Sequence, residues 1–85
     1  MTMMNKILIT VVVPMIEEKY DIYIPISKSI KVTKELLVKT INELSEGHFP
    51  KKDTCTIMSS NGMVYDPKLT IKESGIKNGD KIILI

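Results

Sequence analysis

The sequence predicts an α+β domain: a mixed sheet of four to five strands with one main helix, about 30–46, packed on one face. Three observations carry that expectation. Tyr20, Ile22, Ile24 and Ile26 alternate with Asp21 and Tyr23, the period of a strand wet on one side. Ile30, Thr33, Leu37, Ile41 and Leu44 recur at three- and four-residue steps, the period of a helix with one apolar stripe. The segments 6–13 and 81–85 are apolar in both phases, as expected of strands covered on both faces at the centre of a sheet.

Each element follows from local chemistry. The run from Lys6 to Val13 is rich in β-branched residues, and Pro14 ends it because proline donates nothing to a ladder. Met15 to Lys19 is expected to form a hairpin loop, with Tyr20–Ile26 returning. Ser27 and Ser29 are both candidate N-caps for the helix, whose stripe is widened by Leu36 and Thr40. Gly47 is expected to supply the left-handed stop, with Pro50 beyond it. Thr54–Ser59 reads as a third strand, Asn61-Gly62 as a hairpin turn and Met63–Tyr65 as the return. Asp66-Pro67 turns the chain again. Thr70 and Glu73 have the spacing of a capping box, and Gly75 closes that one-turn helix. Asn78-Gly79-Asp80 leads into the last strand.

Eighty-five residues, 44% hydrophobic and 26% charged, are enough for one small folded domain over 1–85, with residues 1–5 frayed. The apolar run 7–16 is too short to span a bilayer, and Pro14, Glu17 and Glu18 spoil it as a signal peptide. A cytoplasmic location without stable membrane insertion is the expectation. All twelve basic residues are lysine, so no guanidinium fork is available, and aromatic residues make up only 5%. Nucleic acid is not an expected partner.

Cys55 and His48 alone suggest thiol chemistry, but seven residues and Pro50 separate them, and a cysteine in a strand pattern reads as a small core residue. His48 reads as a contact at the helix C-terminus. His48, Asp53 and Cys55 lack metal-site spacing and a fourth ligand. No enzyme activity, cofactor or metal is expected. Lys28, Lys31 and Lys34 form a basic patch that, on its own, would hold a membrane only marginally.

The tail from Lys68 to Ile85, with Ile71, Glu73, Ile76, Gly79 and Asp80 in register, resembles the end of ubiquitin-like β-grasp domains. It is similar in particular to the YukD/EsaB group of small ubiquitin-like proteins found in type VII (WXG-protein) secretion loci. The resemblance covers nearly the whole element order, and its motif is structural. It implies a non-enzymatic docking or regulatory component, with a membrane or ATPase component of the secretion machine as its protein partner. Conjugated relatives need a flexible Gly-Gly tail, and the sequence ends at Ile85 within a predicted strand, so conjugation is not expected. A small β-grasp regulatory subunit of a multicomponent enzyme is the alternative.

The alternation also nominates a docking face. With Ile7, Ile9, Val11 and Val13 under the helix, Leu8, Thr10 and Val12 point outward, as do Tyr23, Ile83 and Ile85. Leu8, Val12, Ile83 and Ile85 are expected to share one surface large enough to be informative. Ile57 or Met58 would join it, the phase of that strand being open. A homodimer through the same face is the competing occupant.

Overall fold

The computed structural model describes residues 5–51 and 55–85; Asp53 and the expected start of the third strand at Thr54 lie outside them. Its strands are β1 (Lys6–Val13), β2 (Glu18–Pro25), β3 (Ile57–Ser59) and β4 (Lys81–Leu84). Its helices are α1 (Ile30–Leu44) and the single turn α2 (Ile71–Ser74). The sheet order is β2-β1-β4-β3, with β1 parallel to β4 and antiparallel to β2. The expected central pairing of first and last strands is therefore present. Ile7, Ile9, Val11 and Val13 of β1 and Ile82 and Leu84 of β4 are buried against Ile30, Leu37, Val38 and Ile41 of α1.

The hairpin between β1 and β2 is tighter than expected. Pro14–Ile16 form one 3-10 turn, and Glu17, in the left-handed region at φ 54°, returns the chain directly into β2. At the far end of β2, Ile26 donates to the Asn5 carbonyl at 2.9 Å.

Of the two candidate serines, Ser29 caps α1, its Oγ accepting the Val32 N–H at 3.1 Å. The helix stripe needs two corrections. Val38 is buried where Leu36 was expected, and Leu36 and Leu44 are exposed. The helix ends at Leu44, two residues short of the expected 46, and Leu44 is left exposed in its last turn. Its stop is also shifted. Gly47 N–H bonds the Asn42 carbonyl at 2.8 Å and Glu46 N–H bonds that of Glu43 at 3.1 Å, the Schellman pattern. The first left-handed residue is thus Glu46, at φ 54°, with Gly47 following at φ 86°. Asn42 Nδ2 then donates to the Phe49 carbonyl and Ser45 Oγ accepts the Phe49 N–H, which seats the Phe49 ring in the core.

The expected return strand 63–65 is reduced to an isolated bridge between Met58 and Val64. Ser59 ties that turn tightly instead: its Oγ accepts the Met63 N–H at 3.0 Å and bonds the Asn61 side chain. This closes the loop before a second ladder can form. The capping box is present as expected, with Thr70 Oγ1 accepting from Glu73 N–H and Glu73 Oε1 accepting from Thr70 N–H. These backbone and then side-chain bonds from Thr70 hold the Glu73 carboxyl below its ordinary pKa.

Both helix starts are satisfied by each other's flanking loop. Ile30 and Lys31 donate to the carbonyls of Leu69 and Pro67, while Ile71 and Lys72 donate to those of Lys28 and Ile26. Four otherwise orphaned N–H groups are thereby paired without solvent.

Two substitutions at the helix end should move stability in opposite directions. Glu46→Gly should raise it by up to about 1 kcal/mol and Gly47→Ala should lower it by about as much, read from urea midpoints. Thr33 is buried and its Oγ1 has no hydrogen-bond partner. Thr33→Val, which keeps the shape and removes the stranded hydroxyl, should therefore stabilise by about 1 kcal/mol.

Candidate functional site

The outer sheet face is built by strand alternation. Because Ile7, Ile9, Val11 and Val13 face the helix, Leu8, Thr10 and Val12 face away, half-buried by their neighbours. The register aligns these across the sheet. Val12 lies opposite Lys19 on one side and Ile83 on the other, and Ile83 lies opposite Met58. An apolar row of Val12, Ile83 and Met58 therefore crosses three strands, ending at the Lys19 position on β2. The phase left open for β3 is fixed: Ile57 is buried opposite Leu84, and Met58 faces outward.

Leu8 does not join this row. Thr10 lies between, opposite Asp21 and Lys81, and its Oγ1 donates to Asp21 Oδ1 at 2.7 Å. That polar row divides the face. Leu8 and Val12 are separated along the strand by about 13 Å. Leu8 pairs instead with Tyr23, which is 65% exposed, near the start of β1. The six residues nominated from sequence thus fall into two groups, Leu8 with Tyr23 and Val12 with Ile83, with Thr10 in the polar divide and Ile85 to one side.

Ile85 continues the β4 pairing past its last assigned residue. Its N–H and carbonyl bond both partners on Thr56, at 3.0 and 2.8 Å. Its side chain, 55% exposed, lines a shallow hollow of about 430 Å³ with Met15, Met58, Thr56 and Val64. Phe49 and Cys55, both buried, also line it. The hollow joins the apolar row at Met58. Met15 and Val64 were missed in the sequence, where Met58 stood as one of two candidates, although the chain's six methionines were a signal. A flexible thioether left at a surface suits contacts that must adapt.

Of the residues weighed for chemistry, only the buried Cys55 touches this face, where it lines the hollow. His48 is exposed, and its Nδ1–H donates to the Ser45 carbonyl at 2.6 Å, a contact at the end of α1. Cys55 is buried in the core beside Ile57. Among the described residues no group of three or more His, Cys, Asp or Glu is placed to hold a metal ion. On the other side of β3, Tyr65 packs against the core, and burial, then the Asp80 charge, push its hydroxyl pKa up. Among the described residues no helix is long and apolar enough to cross a membrane.

No family model matches the chain, and no curated protein matches it either. Solved structures do. The ubiquitin-like domain of EccD5 from Mycobacterium xenopi aligns over 94% of this chain and 92% of its own, at TM-score 0.78 and 16% identity. The fold is ubiquitin-like β-grasp. The ubiquitin-like domain of the Mycobacterium tuberculosis type VII secretion protein EccD1 matches over 96% of this chain and 99% of its own, at TM-score 0.74 and 12% identity. A chain of the ESX-5 inner membrane complex matches at TM-score 0.80 and 14% identity, over 95% of this chain. The ubiquitin-like chain spans only 21% of that larger protein. A protein designed from ubiquitin also matches, at TM-score 0.69. At such identities the likeness speaks for the fold.

The two phases of β4 should respond differently to truncation. Ile82→Ala, in the core, should cost about 2–5 kcal/mol, whereas Ile83→Ala on the outer face should cost about 1 kcal/mol or less. Chemical denaturation of the two variants checks this.

Proposed function

We propose that this ubiquitin-like chain is a non-enzymatic docking module of the YukD/EsaB kind, a cytoplasmic accessory component of type VII secretion. It works by binding a protein partner through the outer sheet face, and that partner is a membrane or ATPase component of the machine. The observation that carries the reading is the apolar row of Val12, Ile83 and Met58 opening into the hollow at Ile85. Contiguous apolar surface beside a concavity is what a partner's side chain needs, and burying two or three such residues supplies about 1.5–3 kcal/mol each before association costs. The structural likeness to domains of EccD1 and EccD5 supports the pathway, since those proteins carry this fold in type VII secretion.

Capture of a secretion-system membrane or ATPase component by the tagged chain tests the proposal. Ile83→Lys and Met58→Lys should each reduce recovery at least about tenfold, the value of one buried aliphatic contact. Leu8→Lys, beyond the polar row, should reduce it less. Equal recovery by wild type and Ile83→Lys would remove the face from consideration. A dimer in sedimentation that Ile83→Lys dissolves would assign the face to a second copy instead.

A further inference from the structure

The lysines are not spread evenly over the molecule. The crossed hydrogen bonds that join the two helix starts bring two segments together: 26–34 and 67–72. Lys28, Lys31 and Lys34 come from the first, and Lys68 and Lys72 from the second. All but the half-buried Lys34 are exposed. The patch seen in sequence as three lysines is thus five, and Lys6 lies at the same end of the sheet, opposite Pro25.

Three carboxylates, Glu35, Asp66 and Glu73, stand against these six lysines, so this end carries a net positive charge. Asp66 Oδ1 accepts the Lys68 backbone N–H at 2.9 Å, and Glu73 is held in the capping box. Glu35 lies a turn further along α1. The opposite end carries both signs: Glu17 and Glu18 with Lys19 at the hairpin, and Glu43 and Glu46 with Lys39 at the end of α1. These two regions meet there, since Met15 and Phe49 line one hollow.

This arrangement opposes the helix. The start of α1 carries positive partial charge and its end negative, so acids first and bases last would stabilise it. Here the first turn of α1 has no acidic residue and the last turn no basic one. A charge pattern that works against local stability marks a functional surface. The first-turn N–H groups are already bonded to protein carbonyls and to Ser29 Oγ, so the pole is a field of side-chain charge and not a helix-terminus pocket.

We propose that this basic pole adsorbs the domain to an anionic lipid bilayer. Lysine is a hydrated point charge on a long stem, suited to a diffuse charged surface and poorly suited to bidentate recognition of a single site. Five lysines on one end reach the number at which polybasic surfaces hold an anionic leaflet. Adsorption by this end, which is distinct from the outer sheet face, leaves the row of Val12, Ile83 and Met58 open to a protein.

Vesicle sedimentation tests this with the full chain. Equal parts phosphatidylcholine and phosphatidylglycerol should pellet it at low salt, phosphatidylcholine alone should not, and added salt should release it. Combining Lys28→Gln, Lys31→Gln, Lys68→Gln and Lys72→Gln should weaken partitioning by about fivefold per lysine. Combining Lys19→Gln, Lys39→Gln, Lys51→Gln and Lys81→Gln gives the same net charge and should leave most of the binding. Thermal melts of both variants confirm that each is folded, and the first removes charges that oppose the helix. Wild type that stays in the supernatant overturns the proposal, as does equal loss in the two variants. Binding to soluble polyglutamate but not to vesicles also overturns it, in favour of an acidic polypeptide.

Discussion

The parallel pairing of β1 with β4 is the constraint on which the other elements depend. Three register pairs, Thr10 with Lys81, Val11 with Ile82 and Val12 with Ile83, join segments about seventy residues apart. Either side of the pairing, Leu8 and Asn78 secure the approach: Asn78 Oδ1 accepts the Leu8 N–H, and Gly79 N–H donates to the Leu8 carbonyl at 2.7 Å. Gly79 adopts φ 88° to turn there. Once this pair is in place, its inward side chains form one floor for α1. β2 and β3 then need only add at the two edges.

The same pairing makes the outer face. Val12 and Ile83 become neighbours only because β1 and β4 run side by side, and Met58 reaches them only through β4. A docking surface assembled in this way has no local precursor in the chain. It is sensitive to register, since a one-residue slip of β4 would turn Ile83 into the core and Ile82 out. The polar row of Asp21, Thr10 and Lys81 is the counterpart of that selectivity. It bounds the apolar strip on the side toward Leu8 and limits the area open to non-specific association.

Much of this was legible in the sequence, because strand alternation, helix period and capping residues each have a local physical cause. β1, the start of α1, the capping box at Thr70 and the central place of the last strand all followed from such signals. What escaped was set by contacts across the fold. Phe49 lies in no periodic segment and enters the core because Asn42 and Ser45 hold its backbone. Val38 replaces Leu36 because packing against the sheet, and not the helix period alone, decides which flank of the stripe is covered. The phase of β3 needed its partner β4, so Met58 could not be distinguished from Ile57. The surface of Leu8 and Val12 looked continuous because one strand alone does not reveal that Asp21 and Lys81 flank Thr10.

The mutual pairing of the helix starts has a consequence for motion. A four-residue helix is too short to persist alone, and α2 is held by carbonyls borrowed from the approach to α1. The loan is reciprocal, so neither start can open while the other stays shut. The amide protons of Ile30, Lys31, Ile71 and Lys72, forty residues apart in two pairs, therefore belong to one opening event and should share a single protection factor in the regime where closing is fast. Local fluctuation at this end is a hinge with two leaves, and anything that rests on one leaf damps both.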